Sequence, residues 1–191
     1  MGGSSAAVPS ISTGPTGGPG LGTFFRRVLE ERSFIPTNQF LLTMLPSIAG
    51  RLADQTRIFS IGFVPDKVQD PHLLMLEVQD EIAKEGRSGM ADRDLYAFAL
   101  DIVERAGLLK GFMGYPQPVP FIGHGIGLEL DEWPIIGKNS KQILQKGMVI
   151  ALEPKCIIPG QGAVGIENTF LDTDTGLEKL NQFTDQIALV K

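Results

Sequence analysis

Four residues carry side chains that could meet around a cation. His124 lies in the glycine-lined apolar segment Phe121-Ile-Gly-His-Gly-Ile-Gly-Leu-Glu-Leu-Asp-Glu-Trp-Pro134. Two later apolar segments each hold one carboxylate: Glu153 in Val149-Ile-Ala-Leu-Glu-Pro154 and Glu167 in Ala163-Val-Gly-Ile-Glu-Asn-Thr169. Asp54 stands upstream in Ala53-Asp-Gln-Thr-Arg-Ile-Phe59. An ionised carboxylate in an apolar strand is costly to bury unless a positive group meets it. Three carboxylates and one imidazole on four strands point to a divalent metal, since Mn, Co, Fe and Zn accept such mixed ligands. Bridging carboxylates hold pairs of these ions ~3.5–4 Å apart, and the pair activates a water for hydrolysis. Each residue alone has a plainer role: Asp54 capping a turn, His124 satisfied in the core, the glutamates facing solvent at sheet edges. All four together, each in a strand and flanked by Gly, Pro or Thr, favour the metal.

The elements that must position them follow from periodicity. Gln39 to Leu45 is an apolar run of strand length, and Arg51 to Ile61 alternates as a second strand, with Pro46-Ser-Ile-Ala-Gly50 as the hairpin turn. Pro65 to Glu85 reads as a helix with Leu73, Leu76, Ile82 and Ala83 near helical spacing and Gly86 as its stop. Ala91 to Ala106 is a second helix, lined on one face by Leu95, Ala99, Ile102, Val103 and Ala106. Strands are expected at Val119 to Ile122, Leu128 to Leu130, Met148 to Leu152, Val164 to Phe170 and Gln186 to Val190, with turns at Pro159-Gly-Gln-Gly162 and Asp174-Thr-Gly176. Strands, two helices, then strands predict an α+β fold with a mostly antiparallel sheet. Residues 1–22, rich in Gly, Ser, Pro and Thr, read as a flexible loop or tail, and Phe24 to Arg32 as a short, weak helix.

Bulk properties exclude other classes. The 191 residues suit one domain, or one large domain missing a piece. The net charge of −5 argues against nucleic acid or an anionic membrane as the main partner. The single cysteine, Cys156, cannot form an internal disulfide, which suits the cytoplasm; a small buried hydrophobe is its expected role. No apolar run is long enough to span a bilayer. Gly123-His-Gly-Ile-Gly127 lacks the spacing of a phosphate-binding loop, and an acidic, strand-like stretch follows it.

Ordered motifs add a resemblance. Gly123-His-Gly-Ile-Gly127 with Pro134, then Gly147-Met-Val-Ile-Ala-Leu-Glu-Pro154, then Gly165-Ile-Glu-Asn-Thr169 followed by Thr175-Gly-Leu-Glu178, closely resemble the pita-bread metallopeptidases. That family includes methionine aminopeptidase, aminopeptidase P, prolidase and the related creatinases. The likeness covers Phe112 to Lys191 and reaches upstream through Asp54-Gln-Thr-Arg57. Asp54-Gln-Thr-Arg-Ile-Phe-Ser-Ile-Gly62 and Ile122-Gly-His-Gly-Ile-Gly-Leu-Glu-Leu-Asp-Glu132 look most like the Xaa-Pro dipeptidase and aminopeptidase branch.

The resemblance implies a pita-bread fold, a mostly antiparallel curved sheet with helices on its outer face. It implies Asp54, His124, Glu153 and Glu167 as metal ligands, and catalytic roles for His124 and Glu153, the latter in proton transfer. It implies hydrolysis by a metal-bound water attacking the peptide carbonyl, on short peptides with Pro in the second position. The family's first ligand aspartate falls at Thr43, a neutral hydroxyl, so one well-held ion and a second site that is weak or empty are expected. Asp131 stands where the family often has histidine and could orient a substrate amine. The other histidine, His72, is expected on a helix surface. Residues 23–191 are expected to form the catalytic-type domain without its N-terminal helices, its first half truncated, leaving a sheet face uncovered and favouring a homodimer. Creatinase-type amidine hydrolysis shares the scaffold. The rival function is a catalytically impaired domain that binds a peptide or protein.

Overall fold

The structure, a computed structural model, describes residues 4–5, 10–13, 39–159 and 161–191. The described residues begin with strands β1 (Ser4–Ser5), β2 (Ser10–Thr13), β3 (Gln39–Met44), β4 (Pro46–Ile48), β5 (Arg51–Leu52) and β6 (Gln55–Ile61). Two helices follow, α1 (Asp66–Glu85) and α2 (Asp92–Arg105), and a 3-10 turn at Leu109–Gly111. The remainder is β7 (Phe121–Gly125), β8 (Glu132–Gly137), β9 (Val149–Leu152), β10 (Lys155–Ile158), β11 (Gly162–Gly165), β12 (Asn168–Thr173), β13 (Gly176–Lys179) and β14 (Ala188–Val190).

One sheet has the order β13-β12-β9-β7-β8 and a second the order β14-β6-β3-β2. β10 and β11 form a hairpin, and β1, β4 and β5 a small sheet. Pairing is antiparallel throughout except between β14 and β6, where Ala188 faces Phe59. The two larger sheets meet at a bridge between Thr56 and Glu167.

The core lies between the helices and the five-stranded sheet. Val68, Met75, Val78 and Ile82 of α1 and Leu95, Ala99 and Val103 of α2 are fully enclosed with Ile122, Ile136, Ile150 and Leu152. Burying each of the larger side chains contributes about 1.5–3 kcal/mol. No helix among the described residues is long and apolar enough to cross a membrane.

Several expectations are corrected. The inward face of α1 runs through Val68, Met75, Val78 and Ile82, while Leu73 is exposed; the face is set by His72 and Gln79, polar residues buried along the same stripe. Ala106 is exposed at the end of α2. His72 is fully buried, its Nε2 2.8 Å from the Asp185 carbonyl, and not on the surface. Leu128 to Leu130 is not a strand; the strand is Glu132–Gly137, whose acidic, aromatic and proline residues carry no alternation. Arg51 to Ile61 and Val164 to Phe170 are each interrupted, at Asp54 and at Glu167, and β10 and β13 were not anticipated. Within the segment read as a loop or tail, β1 pairs with β4 and β2 with β3. The helix expected over Phe24 to Arg32 lies outside the described residues.

Candidate metal centre

The ligand candidates sit at strand breaks, where backbone pairing stops and side chains converge. Asp54 occupies the gap between β5 and β6, Glu153 the step from β9 to β10, and Glu167 the step from β11 to β12. His124 is the exception, within β7. Its flanking glycines explain how a strand can carry it. A Cβ at Gly123 would stand 2.3 Å from the Ala151 carbonyl oxygen, and one at Gly125 2.4 Å from that of Trp133. Only glycine admits neighbouring strands so closely, so β8 and β9 close on either side and leave the imidazole as the one projecting group.

Asp54 and Glu167 are registered by a reciprocal set of bonds. Thr56 N donates to the Glu167 carbonyl at 3.2 Å, Asp54 N to Thr169 Oγ1 at 3.0 Å, and Thr169 Oγ1 to the Asp54 carbonyl at 2.9 Å. Arg57, wholly buried, fastens the junction. It donates to the carbonyls of Glu167 (2.9 Å), Thr184 (2.7 Å) and Phe183 (3.0 Å), to Asn168 Oδ1 (2.7 Å), and pairs with Asp185 at 3.0 Å. Asn168 donates in turn to Gln79 Oε1, and Gln79 to the Leu152 carbonyl, so α1 holds the strand that leads to Glu153.

Asp54, His124 and Glu167 each place one ligand atom within 4.8 Å of the others. His124 Nε2 lies 3.9 Å from Glu167 Oε1 and 4.0 Å from Glu153 Oε1. Asp54 Oδ1 is buried without a hydrogen-bond partner. Burial first, and then repulsion from Glu167, push the Asp54 pKa up to about 9. Burial likewise raises Glu167 above the usual carboxylate range, against the pull of Lys155. An orphaned buried oxygen, beside carboxylates crowded enough to resist ionisation, is a set of donors that a cation would complete. The residues fit a divalent ion with nitrogen and oxygen ligands.

Residues 9–174 match the sequence profile of metallopeptidase family M24. The chain belongs to that family.

Among M24 relatives, the Xaa-Pro dipeptidase of Pyrococcus furiosus is 33% identical over 130 residues, 68% of this chain and 36% of that protein. The chain thus spans about a third of the length of the curated relatives it matches. The prolidase of Pyrococcus horikoshii superposes with a TM-score of 0.83 at 25% identity, covering 97% of this chain and 51% of the other. The N-terminal domain of the FACT complex subunit SPT16 from Eremothecium gossypii superposes at 0.77 with 18% identity over 97% of this chain and 43% of the other, a likeness of fold. The architecture is therefore the pita-bread M24 fold, close to its Xaa-Pro branch.

The remaining candidates of this M24 site take distinct positions. Thr43, in register with Thr56 across β3 and β6, lies 2.7 Å from it, Oγ1 to Oγ1. Thr56 Oγ1 donates to Glu167 Oε2 at 2.5 Å. Asp131 is largely exposed at the rim, its Oδ1 3.5 Å from His124 Nδ1, which also lies 3.0 Å from the Gly125 carbonyl. Cys156 is buried, and burial pushes its thiol up to about 11, so it is a poor nucleophile.

Sequence reasoning missed Lys155. Its ammonium pairs with Glu153 Oε2 and lies 3.4 Å from Glu167 Oε2. Burial alone would lower its pKa, but Glu153 and Glu167 more than offset this and hold it above its ordinary value. No local pattern flags it, since Glu153 and Pro154 lie outside the strands and Lys155 opens β10.

Proposed function

We propose that this chain carries the metal-binding part of a hydrolase acting on short peptides, with dipeptides bearing Pro in the second position as the first substrates to test. The observation that carries the reading is the convergence of Asp54, His124 and Glu167, from three separate segments, around the unpartnered Asp54 Oδ1. The profile match and the Xaa-Pro dipeptidase relatives support the substrate class.

A divalent ion held by Asp54, His124 and Glu167, with Glu153 alongside, would supply a Lewis acid and a water acidified to near neutrality. Glu153 is the proton carrier. Its Oε1 faces the same space as His124 Nε2, and its side chain is 14% exposed against 3% for Glu167. Lys155 on the far oxygen keeps Glu153 oriented between transfers. Asp131 at the rim offers a negative charge to the free amine of a peptide.

The test is metal content followed by hydrolysis of Xaa-Pro dipeptides with added Mn or Co. Hydrolysis that depends on the metal, and falls by about two orders of magnitude or more in Glu153→Gln, supports the reading. A purified chain that binds no metal and cleaves nothing overturns it. One observation favours a second reading, a binding module: Thr43 and Lys155 both make the site less acidic. Capture of intact Xaa-Pro peptides without turnover, in the presence of metal, would select it.

A further inference from the structure

We propose that the Lys155 ammonium is a built-in cation of the acidic cluster, so that the cluster takes a single divalent ion and excludes a second. This rests on the reading of the site as a metal centre.

The argument runs oxygen by oxygen. Glu153 and Glu167 each divide their two oxygens between opposite sides. Their Oε1 atoms face His124 Nε2, at 4.0 and 3.9 Å. Their Oε2 atoms are already engaged: Glu153 Oε2 by Lys155, Glu167 Oε2 by Lys155 and by the Thr56 hydroxyl. Thr43 is joined to that same side through Thr56. The side toward His124 and Asp54 is thus open to a cation, and the side toward Thr43 is closed by an ammonium and two hydroxyls.

The fold is shaped to keep Lys155 there. Its side chain is only 9% exposed. A buried ammonium persists only where carboxylates meet it. Gly165 faces Lys155 across β10 and β11, and a Cβ on Gly165 would stand 2.7 Å from Lys155 Cγ, so the facing strand leaves a lane for the aliphatic stem. Charge agrees with geometry. With the three carboxylates deprotonated to act as ligands, they and one ammonium leave two negative charges, which one divalent ion neutralises and a second would overshoot. A carboxylate at position 43 and no lysine would instead match two ions. Thr43 and Lys155 therefore act in the same direction, one withdrawing attraction and the other adding repulsion.

The experiment titrates Mn alone into metal-stripped protein, with stoichiometry read by calorimetry and by elemental analysis after dialysis. The wild-type chain is expected to take one ion. Thr43→Asp is expected to take one still, because Lys155 remains. Thr43→Asp combined with Lys155→Met is expected to take two, and Lys155→Met alone to bind its ion on the order of tenfold tighter or more, having lost a neighbouring positive charge. Two ions in the wild type or in Thr43→Asp overturn the role of Lys155 and leave the metal-centre reading standing, as does an unchanged affinity in Lys155→Met. Thr43→Asp decides by itself should the lysine variants fail to fold. No ion in any variant overturns the metal centre and the role of Lys155 with it.

Discussion

A single unpartnered oxygen distinguishes this site from an acidic surface cluster. Asp54 Oδ1 is buried with nothing to accept from, and its carboxyl is driven to about 9 by burial and by Glu167. The sign of the resulting pH dependence follows. A carboxyl whose folded value lies above its unfolded value of 3.8 favours folding most at low pH, and that contribution is lost as pH rises toward the folded value. Glu167 shifts the same way. His72, lowered by burial, acts only as pH falls below about 6.5. Between pH 7 and 8.5 in chelator, unfolding free energy should fall by about 1 kcal/mol per pH unit, measured by urea denaturation; excess Mn should flatten the slope. Arg57 supplies a second test at this scale. Arg57→Met strips the Glu167 carbonyl and Asp185 of their shared donor and should cost about 3 kcal/mol, weakening cation affinity along with stability. Asp54, His124 and Glu167 were legible because acids and a lone imidazole stand out in apolar strands. Lys155 was not, because a lysine two residues from a glutamate looks like any solvated pair until a facing strand encloses it. His72 was misjudged for a related reason: nothing in α1 announces that the Asp185 carbonyl will cover it.

At the level of elements, glycines decide which strands can approach. Gly123→Ala or Gly125→Ala would drive a methyl into the Ala151 or Trp133 carbonyl. Each should cost about 2–3 kcal/mol, the range of overpacking in a closed interior, and should reduce metal affinity because β7 carries His124. Gly147→Ala is the contrast. Its φ is +88° with open space around it, so the cost should be about 1–2 kcal/mol of backbone strain alone, with metal affinity unchanged. Both helices and most strands were readable from period and stop signals. β8 was not, since Glu132-Trp-Pro134 shows no alternation, and its pairing is set by the close approach at Gly125 rather than by its own side chains. On α1, Ile82, Leu76 and Ala83 pack on the core as read and only Leu73 was misplaced, because buried Gln79 and His72 break the apolar stripe; Gln79 is inside because Leu152 and Asn168 hydrogen-bond it there.

For the whole molecule, a cation that binds only the folded state should raise its stability. At a hundredfold excess over Kd the gain is about 2.7 kcal/mol, a rise of roughly 5–10 °C in Tm for a chain of this size. Thermal unfolding in chelator and in Mn checks this, and Asp54→Asn should abolish the difference. The α+β class followed from element order, while the joining of the two larger sheets depends on the Thr56 to Glu167 bridge, which no local pattern specifies.

That bridge also has a temporal meaning. Arg57 and Glu167 are 110 residues apart, and Arg57 and Thr184 are 127 apart. On a ribosome, the Asp54 segment emerges long before Thr169 and the carbonyls of Glu167 and Thr184 that fix its junction. The ion-binding pocket therefore cannot nucleate the nascent chain. It closes only once the segments carrying Glu167 and Thr184 have been made, so metal loading should follow their synthesis rather than guide the collapse of the segments before them.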